Sequence, residues 1–141
     1  MKKILSAIFL VSTLTSFSQS DKIIGEYFLE LGNEKHQIEY RLNLNSDGTF
    51  GFHSYTNNQN GIPPIVHTYG KGTWNVDGKV VSFITNKEKD LDEKHTLDFS
   101  GSKARFVTKP SRDKTDRIIK TKLKFFESEI FWIKGLDIFK T

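Results

Sequence analysis

Residues 38–52 read IEYRLNLNSDGTFGF, and this stretch decides the fold. Its first seven residues alternate apolar with polar side chains, which is the period of a β-strand with one buried and one solvated face. The segment Asn45-Ser46-Asp47-Gly48 is typical of a turn, because glycine accepts a positive φ without steric cost. Phe50 and Phe52 then resume the alternation. The stretch therefore predicts a β-hairpin.

Similar patterns follow along the chain. Gly70 and Gly72 lie inside a strand predicted over residues 66–76, and interior glycines indicate a bulge or a sharp bend. Asp77-Gly78 predicts a two-residue turn into the next strand. Further strands are predicted over residues 95–99, 104–108 and 117–126, with a final hairpin formed by residues 130–133 and 136–139.

These strands define a fold class. About ten short strands, separated by turns and without a long helical pattern, predict an all-β protein. We expect an antiparallel up-and-down β-barrel, and a two-sheet β-sandwich is the alternative. Closing the sheet into a barrel would remove the exposed strand edges that promote aggregation.

The N-terminal residues have the pattern of an export signal. Lys2 and Lys3 precede an apolar run over residues 4–11, and the small residues Ser16 and Ser18 fit signal-peptidase cleavage. The run is shorter than the roughly 20 residues that span a membrane. We therefore predict a signal peptide over residues 1–18 and one β-barrel domain over residues 19–141. The mature protein is expected to be secreted, periplasmic or extracellular, without a membrane span.

Composition narrows the classes of function. The chain contains no cysteine, which excludes disulfides, cysteine-bound zinc and thiol catalysis, while twelve Phe and two Trp can supply an ordinary core. Loss of Lys2 and Lys3 with the signal leaves 19 basic and 17 acidic residues, a net charge of +2. Bulk charge therefore gives no argument for nucleic acid as a partner. The oligomeric state stays open.

The order of six short segments along the mature chain is informative: Gly25-Glu26-Tyr27, Leu44 to Phe50, Gly72-Thr73-Trp74, Asp77-Gly78-Lys79, Ile130-Phe131-Trp132 and Ile138-Phe139-Lys140. It resembles that of the small secreted lipocalin-like domains, within the calycin group, that are common in Bacteroidetes. Gly25-Glu26-Tyr27 stands where lipocalins have Gly-x-Trp. The resemblance implies a barrel that holds a small apolar molecule.

The alternation of apolar and polar residues also predicts which side chains could form a ligand site. Side chains that point into an eight-stranded barrel either line a site for one small ligand or fill the core. We predict a non-catalytic protein that binds a small apolar ligand without a cofactor, with Tyr40 as the polar group of the site. The candidate ligand-binding residues are Tyr40, Leu42, Phe50, Phe52, Trp74, Phe83, Phe106 and Phe125, and Phe99 is expected to face the same way.

His53 and His67 are candidate metal ligands. If Tyr55 pairs with Ile65 across the proline-containing loop, His53 lies opposite His67, and directly opposed side chains are about 5 Å apart. A useful site needs a third or fourth ligand, and none can be named. No metal is therefore predicted, and two surface histidines are the simpler interpretation.

A macromolecular partner and an enzyme are the other classes. A solid barrel could bind a partner through the loops at residues 56–64 and 110–116 and through a basic strand face formed by Lys120, Lys122 and Lys124. Lysines on a solvated face also serve simply to block edge pairing. Asp90, Asp92 and Glu93 are clustered carboxylates, but no catalytic arrangement can be assembled around them, so we predict no enzyme.

Overall fold

A computed structural model of the protein describes residues 21–141, and the signal peptide predicted over residues 1–18 lies outside them. Within the described residues, no helix is long and apolar enough to cross a membrane. Nine β-strands make up the fold of this part of the chain. They are β1 (Gly25–Gly32), β2 (His36–Leu44), β3 (Thr49–Asn58), β4 (Ile65–Asp77), β5 (Val80–Ile84), β6 (His95–Leu97), β7 (Lys103–Val107), β8 (Lys122–Glu127) and β9 (Asp137–Lys140).

Eight of the strands close into one antiparallel barrel. Strands β1 to β5 pair in sequence order, β5 pairs with β7, and β7, β8 and β9 continue the series until β9 pairs with β1. Strand β6 is an addition that lies parallel to β4. The predicted all-β fold with an antiparallel up-and-down barrel is confirmed, and it is consistent with a lipocalin-like barrel.

The two turns predicted from sequence are present. The amide of Gly48 donates to the carbonyl oxygen of Asn45 at 3.1 Å, and Gly48 has a φ of +86°. Gly78 has a φ of +62° next to the pair of Asp77 with Val80. Both turns lie at the same end of the barrel, which we call the turn end. The opposite end, where β1 connects to β2 and β3 to β4, is called the open end.

The core lies inside the barrel, where alternate side chains of all eight strands converge. Residues at successive inward positions, such as Leu42 and Leu44 on β2 or Phe50 and Phe52 on β3, are buried, while their neighbours in sequence face solvent. This confirms the period-two pattern of residues 38–52. All nine side chains predicted to point inward are buried: Tyr40, Leu42, Phe50, Phe52, Trp74, Phe83, Phe99, Phe106 and Phe125.

The two glycines of β4 allow other parts of the chain to come close. A Cβ on Gly70 would lie 2.7 Å from the ring of Phe99, and one on Gly72 would lie 2.1 Å from the carbonyl oxygen of Ile84. The ladder between β4 and β6 is irregular at Gly70. The amide of Phe99 donates to Thr85 Oγ1 at 2.9 Å, which helps to hold the ring inside the barrel. The irregularity expected at the glycines of β4 therefore makes room for the ring of Phe99.

One predicted strand is too long. Residues 117–126 were expected to form a single strand, but β8 begins at Lys122, and Ile118 is 89 % exposed. The neighbouring strand β7 ends at Val107, which pairs with Lys122. Residues 117–121 consequently have no β7 residue to pair with, and alternation without a partner does not make a strand.

The predicted final hairpin is also wrong. Residues 130–135 form turns, with the amide of Ile133 donating to Ile130 and that of Leu136 donating to Ile133. Only Asp137–Lys140 is a strand, and it pairs with β8 and β1. Ile133 is fully buried, so this short apolar run covers part of the barrel core. The run is too short for its periodicity to distinguish a strand from a buried turn.

Candidate functional site

The middle of the barrel is occupied by aromatic rings that touch across the interior. Phe83 lies 5.1 Å from Phe50 and 5.3 Å from Phe125 between ring centroids, and Phe99 lies 5.0 Å from Phe52. Four of these rings come from strands β3, β5 and β8, and Phe99 comes from the segment after β6. At this level the predicted ligand-binding residues pack against one another.

Two other predicted ligand-binding residues lie at the turn end. Trp74 donates its indole N–H to the carbonyl oxygen of Asn45 at 3.1 Å, and the amide of Phe106 donates to Lys79. Both carbonyl oxygens belong to turns that close this end. Trp74 and Phe106 are thus separated along the barrel axis from Tyr40, so the predicted set does not form one surface.

Burial falls steadily toward the open end along strands β1 to β4. One inward row contains Leu42 and Phe52 and is buried. The next row contains Tyr40 and Ser54, which are buried, between Leu29 and Thr68, which are partly buried. The last row contains Leu31, Ile38, Thr56 and Val66, of which Leu31 is 43 % and Val66 44 % exposed. These strands therefore present a partly exposed, mainly apolar surface at the open end, which we call the cup.

Aromatic side chains form the floor of this cup. The connection between β8 and β9 packs Trp132 against Tyr40, with ring centroids 5.7 Å apart and planes within 17°. Phe52 lies 6.0 Å from Trp132 on the inner side. Burial raises the pKa of Tyr40, so its hydroxyl is a neutral hydrogen-bond donor at ordinary pH. Sequence reasoning missed Trp132, because it assigned residues 130–133 to a strand.

On the outer wall, the two histidines meet, but in a different register from the predicted one. His53 pairs with Tyr69, and His67 pairs with Tyr55, two residues away from the expected alignment. The predicted direct opposition is wrong. The rings nevertheless touch diagonally, with His53 Nε2 2.8 Å from His67 Nδ1 and planes within 10°. Among the described residues, no group of three or more His, Cys, Asp or Glu side chains is arranged to hold a metal ion.

The histidine pair has a consequence for pH dependence. Burial lowers the pKa of His53, and positive charge on His67, Arg41 and Lys94 lowers it further, against an opposite effect of Glu39. An unfolded histidine titrates near pH 6.5, so between that value and the lower folded pKa the unfolded chain binds more protons. The free energy of unfolding should therefore decrease as the pH falls through this range.

Replacing His53→Gln should reduce this pH dependence. We expect urea unfolding, followed from pH 8 to pH 5, to show a smaller loss of stability in the variant than in the parent protein. His36→Gln removes an exposed histidine at the start of β2 and is the matched control. An unchanged slope in His53→Gln would show that this ring does not resist protonation in the folded protein.

The surfaces proposed for a macromolecular partner lie apart. The loop at residues 56–64 belongs to the open end, whereas residues 110–116 belong to the turn end, between β7 and β8. In the basic strand face, Lys122 is paired with Asp137 at 3.0 Å, while Lys120 and Lys124 are exposed. The three parts do not form one continuous interface.

The acidic cluster has a structural role at the outer wall. Asp92 accepts from the backbone amide and from Nδ1 of His95, and its other oxygen is 3.7 Å from Lys71 Nζ. The hydrogen bond from the His95 amide is the main cause that lowers the pKa of Asp92, to about 2. Asp92 is therefore ionised at ordinary pH and holds two basic side chains in place.

No family model, curated protein or solved structure matches this chain. Up-and-down barrels of eight strands have interiors that are either filled by side chains or hold one small ligand. This barrel combines a filled middle with an open apolar end. A groove of about 650 Å³ also lies outside the barrel, over the junction of β1 with β9.

Proposed function

We propose that the protein is a non-catalytic binding protein that takes a small apolar ligand at the open end of its barrel. The single observation that supports this is the exposure of Leu31 and Val66 in the last inward-facing row, on either side of the partly buried Ile38. Inward positions of a barrel are normally removed from water. Apolar side chains left exposed there mark a surface that gains free energy when a ligand covers it.

The floor of the cup favours a flat or chain-like ligand. Tyr40 and Trp132 lie nearly parallel, and large aromatic rings bury much apolar area at low entropic cost. Tyr40 keeps its proton and can donate one hydrogen bond, while Ser54 and Thr68 add hydroxyl groups in the same row. A fatty acid, or an aromatic molecule with one polar group, has this chemistry. Export by the predicted signal peptide would place the protein where such molecules are captured outside the cytoplasm.

Tryptophan fluorescence tests the site directly, because the two tryptophans lie at opposite ends of the barrel. A panel of fatty acids and flat aromatic compounds is expected to produce a saturable change in emission from Trp132. The variant Trp132→Phe should lose the change, whereas Trp74→Phe should keep it. If only Trp74→Phe abolished the response, the ligand would bind at the turn end and the proposal would be wrong.

Two adjacent residues of β4 provide a sharper control. Val66 points into the cup and Ile65 points outward, and their exposures are similar, 44 % and 48 %. Val66→Lys places a charge on the ligand surface and should weaken binding by about tenfold or more, since burying an unpaired charge is costly. Ile65→Lys should leave binding unchanged. Equal effects of the two changes would argue against the cup.

A partner protein is the second candidate function. It is favoured by Ile62, whose side chain is fully exposed in the loop between β3 and β4 at the same end. In that case the outward residues Ile62 and Ile65 would contribute to binding, and Val66→Lys would matter less than Ile65→Lys. The pair of variants therefore separates the two candidates as well.

A further inference from the structure

A depression lies on the outer wall of the barrel, centred on Gly51 of β3. In the sheet, Gly51 stands between Asn43 of β2 and Lys71 of β4, and the next outward row contains Arg41, His53 and Tyr69. A Cβ built on Gly51 would meet nothing within 4 Å, so the missing side chain leaves open space. The depression has a volume of about 280 Å³.

Several of the side chains that line this depression carry N–H groups. Arg41, Lys71, His53 and His95 surround it, together with Asn43, and its lining contains no carboxylate. Lys94 lies beside it, with Nζ 4.6 Å from the centre of the Tyr69 ring. Basic residues of β2 and β4, and Lys94 just before β6, thus border one small space, and the Arg41 guanidinium lies on the β1 side, 4.6 Å from the Phe28 ring centre.

Carboxylates outside the depression hold these donors in position. Glu26 accepts from Arg41 at 3.1 Å, which occupies one of the five N–H groups of the guanidinium. Asp92 accepts from His95 Nδ1 at 3.0 Å, and its carboxylate lies 3.7 Å from Lys71 Nζ. Donors that are held before a ligand arrives lose less entropy on binding.

We propose that this depression is a binding site for a small oxyanion, that is, a phosphate, sulfate or carboxylate group. Charge-assisted hydrogen bonds from arginine and lysine are the strongest means of recognising such groups. The volume admits the anionic group and a small part of any molecule attached to it. Tyr69 forms a flat side wall against which an attached ring could pack. The site is separate from the apolar cup, because its residues face the outside of the barrel.

Titration of backbone amide NMR signals tests the proposal. At pH 7 and low salt, inorganic phosphate and sulfate are expected to give saturable shifts centred on Gly51, Gly70 and Lys71. Sodium chloride at the same ionic strength controls for screening, which affects exposed charges in general. Shifts that do not saturate, or that chloride reproduces, would overturn the proposal.

Two variants and a matched control locate the site. Lys71→Gln should weaken phosphate binding by about tenfold or more, the loss expected for one charge-assisted hydrogen bond. Gly51→Val should abolish binding by filling the depression, and a β-branched residue suits a strand. Lys124→Gln removes the same charge from β8, on another part of the wall, and should have little effect. An equal loss in Lys124→Gln would show that net charge alone attracts the anion.

The source of the anionic group is decided by a second comparison. If the protein binds a sugar phosphate or a sulfated sugar more tightly than the inorganic ion, and Tyr69→Ala removes that advantage, the group belongs to a larger molecule. Equal affinity for the inorganic ion and the sugar derivatives would assign the site to the free anion. Binding of the sugar derivatives that survives Gly51→Val would place them elsewhere and contradict the proposal.

Discussion

Replacing Phe83→Ala is expected to lower the free energy of unfolding by about 3–5 kcal/mol. Phe83 is 1 % exposed and lies at the centre of the aromatic core, with Phe50 and Phe125 at 5.1 and 5.3 Å between ring centroids. Its removal leaves a cavity that rings fixed on separate strands can close only in part. The loss adds the transfer free energy of the ring to the energy of that cavity.

Denaturant unfolding of Phe83→Ala, followed by far-UV circular dichroism, measures this loss. Phe131→Ala is the matched control, because Phe131 is 87 % exposed in the connection between β8 and β9. It should change stability by no more than about 0.5 kcal/mol. A similar, small effect at both positions would show that the barrel interior is loosely packed, and the aromatic rings would then be available to line a cavity.

Replacing Gly72→Ala is expected to destabilise the protein by about 1–3 kcal/mol or more. The added methyl group would lie 2.1 Å from the carbonyl oxygen of Ile84 and 2.9 Å from the ring of Phe50. The carbonyl belongs to the backbone of β5, so it cannot move aside as the end of a flexible side chain can. Strands β4 and β5 would have to separate at this point.

Gly51→Ala is the matched control for Gly72→Ala, since the two glycines lie on paired strands one residue out of register. A methyl group on Gly51 enters open space, and the substitution reduces the entropy of the unfolded chain. We expect it to be neutral or to stabilise by about 0.4–1 kcal/mol. The midpoint temperature of thermal unfolding should therefore fall in Gly72→Ala and stay the same or rise in Gly51→Ala. If Gly72→Ala were tolerated equally well, the approach of β5 to β4 would be less close than the structure has it.

Local patterns were sufficient to predict the fold class. The alternation over residues 38–52 and the glycine turns at Gly48 and Gly78 depend on neighbouring residues alone, so they can be recognised without knowing the rest of the fold. The register of β3 with β4 could not be obtained in this way. The ladder begins next to the hydrogen bond from the Asn58 amide to the carbonyl oxygen of Pro64, and the sequence does not show where in the loop it begins.

The first residue of β8 and the composition of the candidate sites depend on distant parts of the chain. Residues 117–121 alternate as a strand does, but whether they form one depends on where β7 ends. The cup combines Leu31, Val66 and Trp132 from distant parts of the chain, and the depression combines Arg41 with Lys71 in the same manner. Only one sign of the depression was visible in the sequence. A glycine stands at position 51, inside an otherwise strongly alternating strand.

The junction of β1 with β9 consists of two residue pairs, Tyr27 with Lys140 and Phe28 with Phe139. The hairpins elsewhere join near neighbours, whereas this contact requires almost the whole described chain to be ordered first, and loop-closure entropy grows with that separation. Folding should accordingly be slow, on the order of milliseconds to seconds, with this contact formed last. By the same reasoning, the amides of Phe28 and Phe139 should exchange with solvent deuterium earlier than those of β2 and β3.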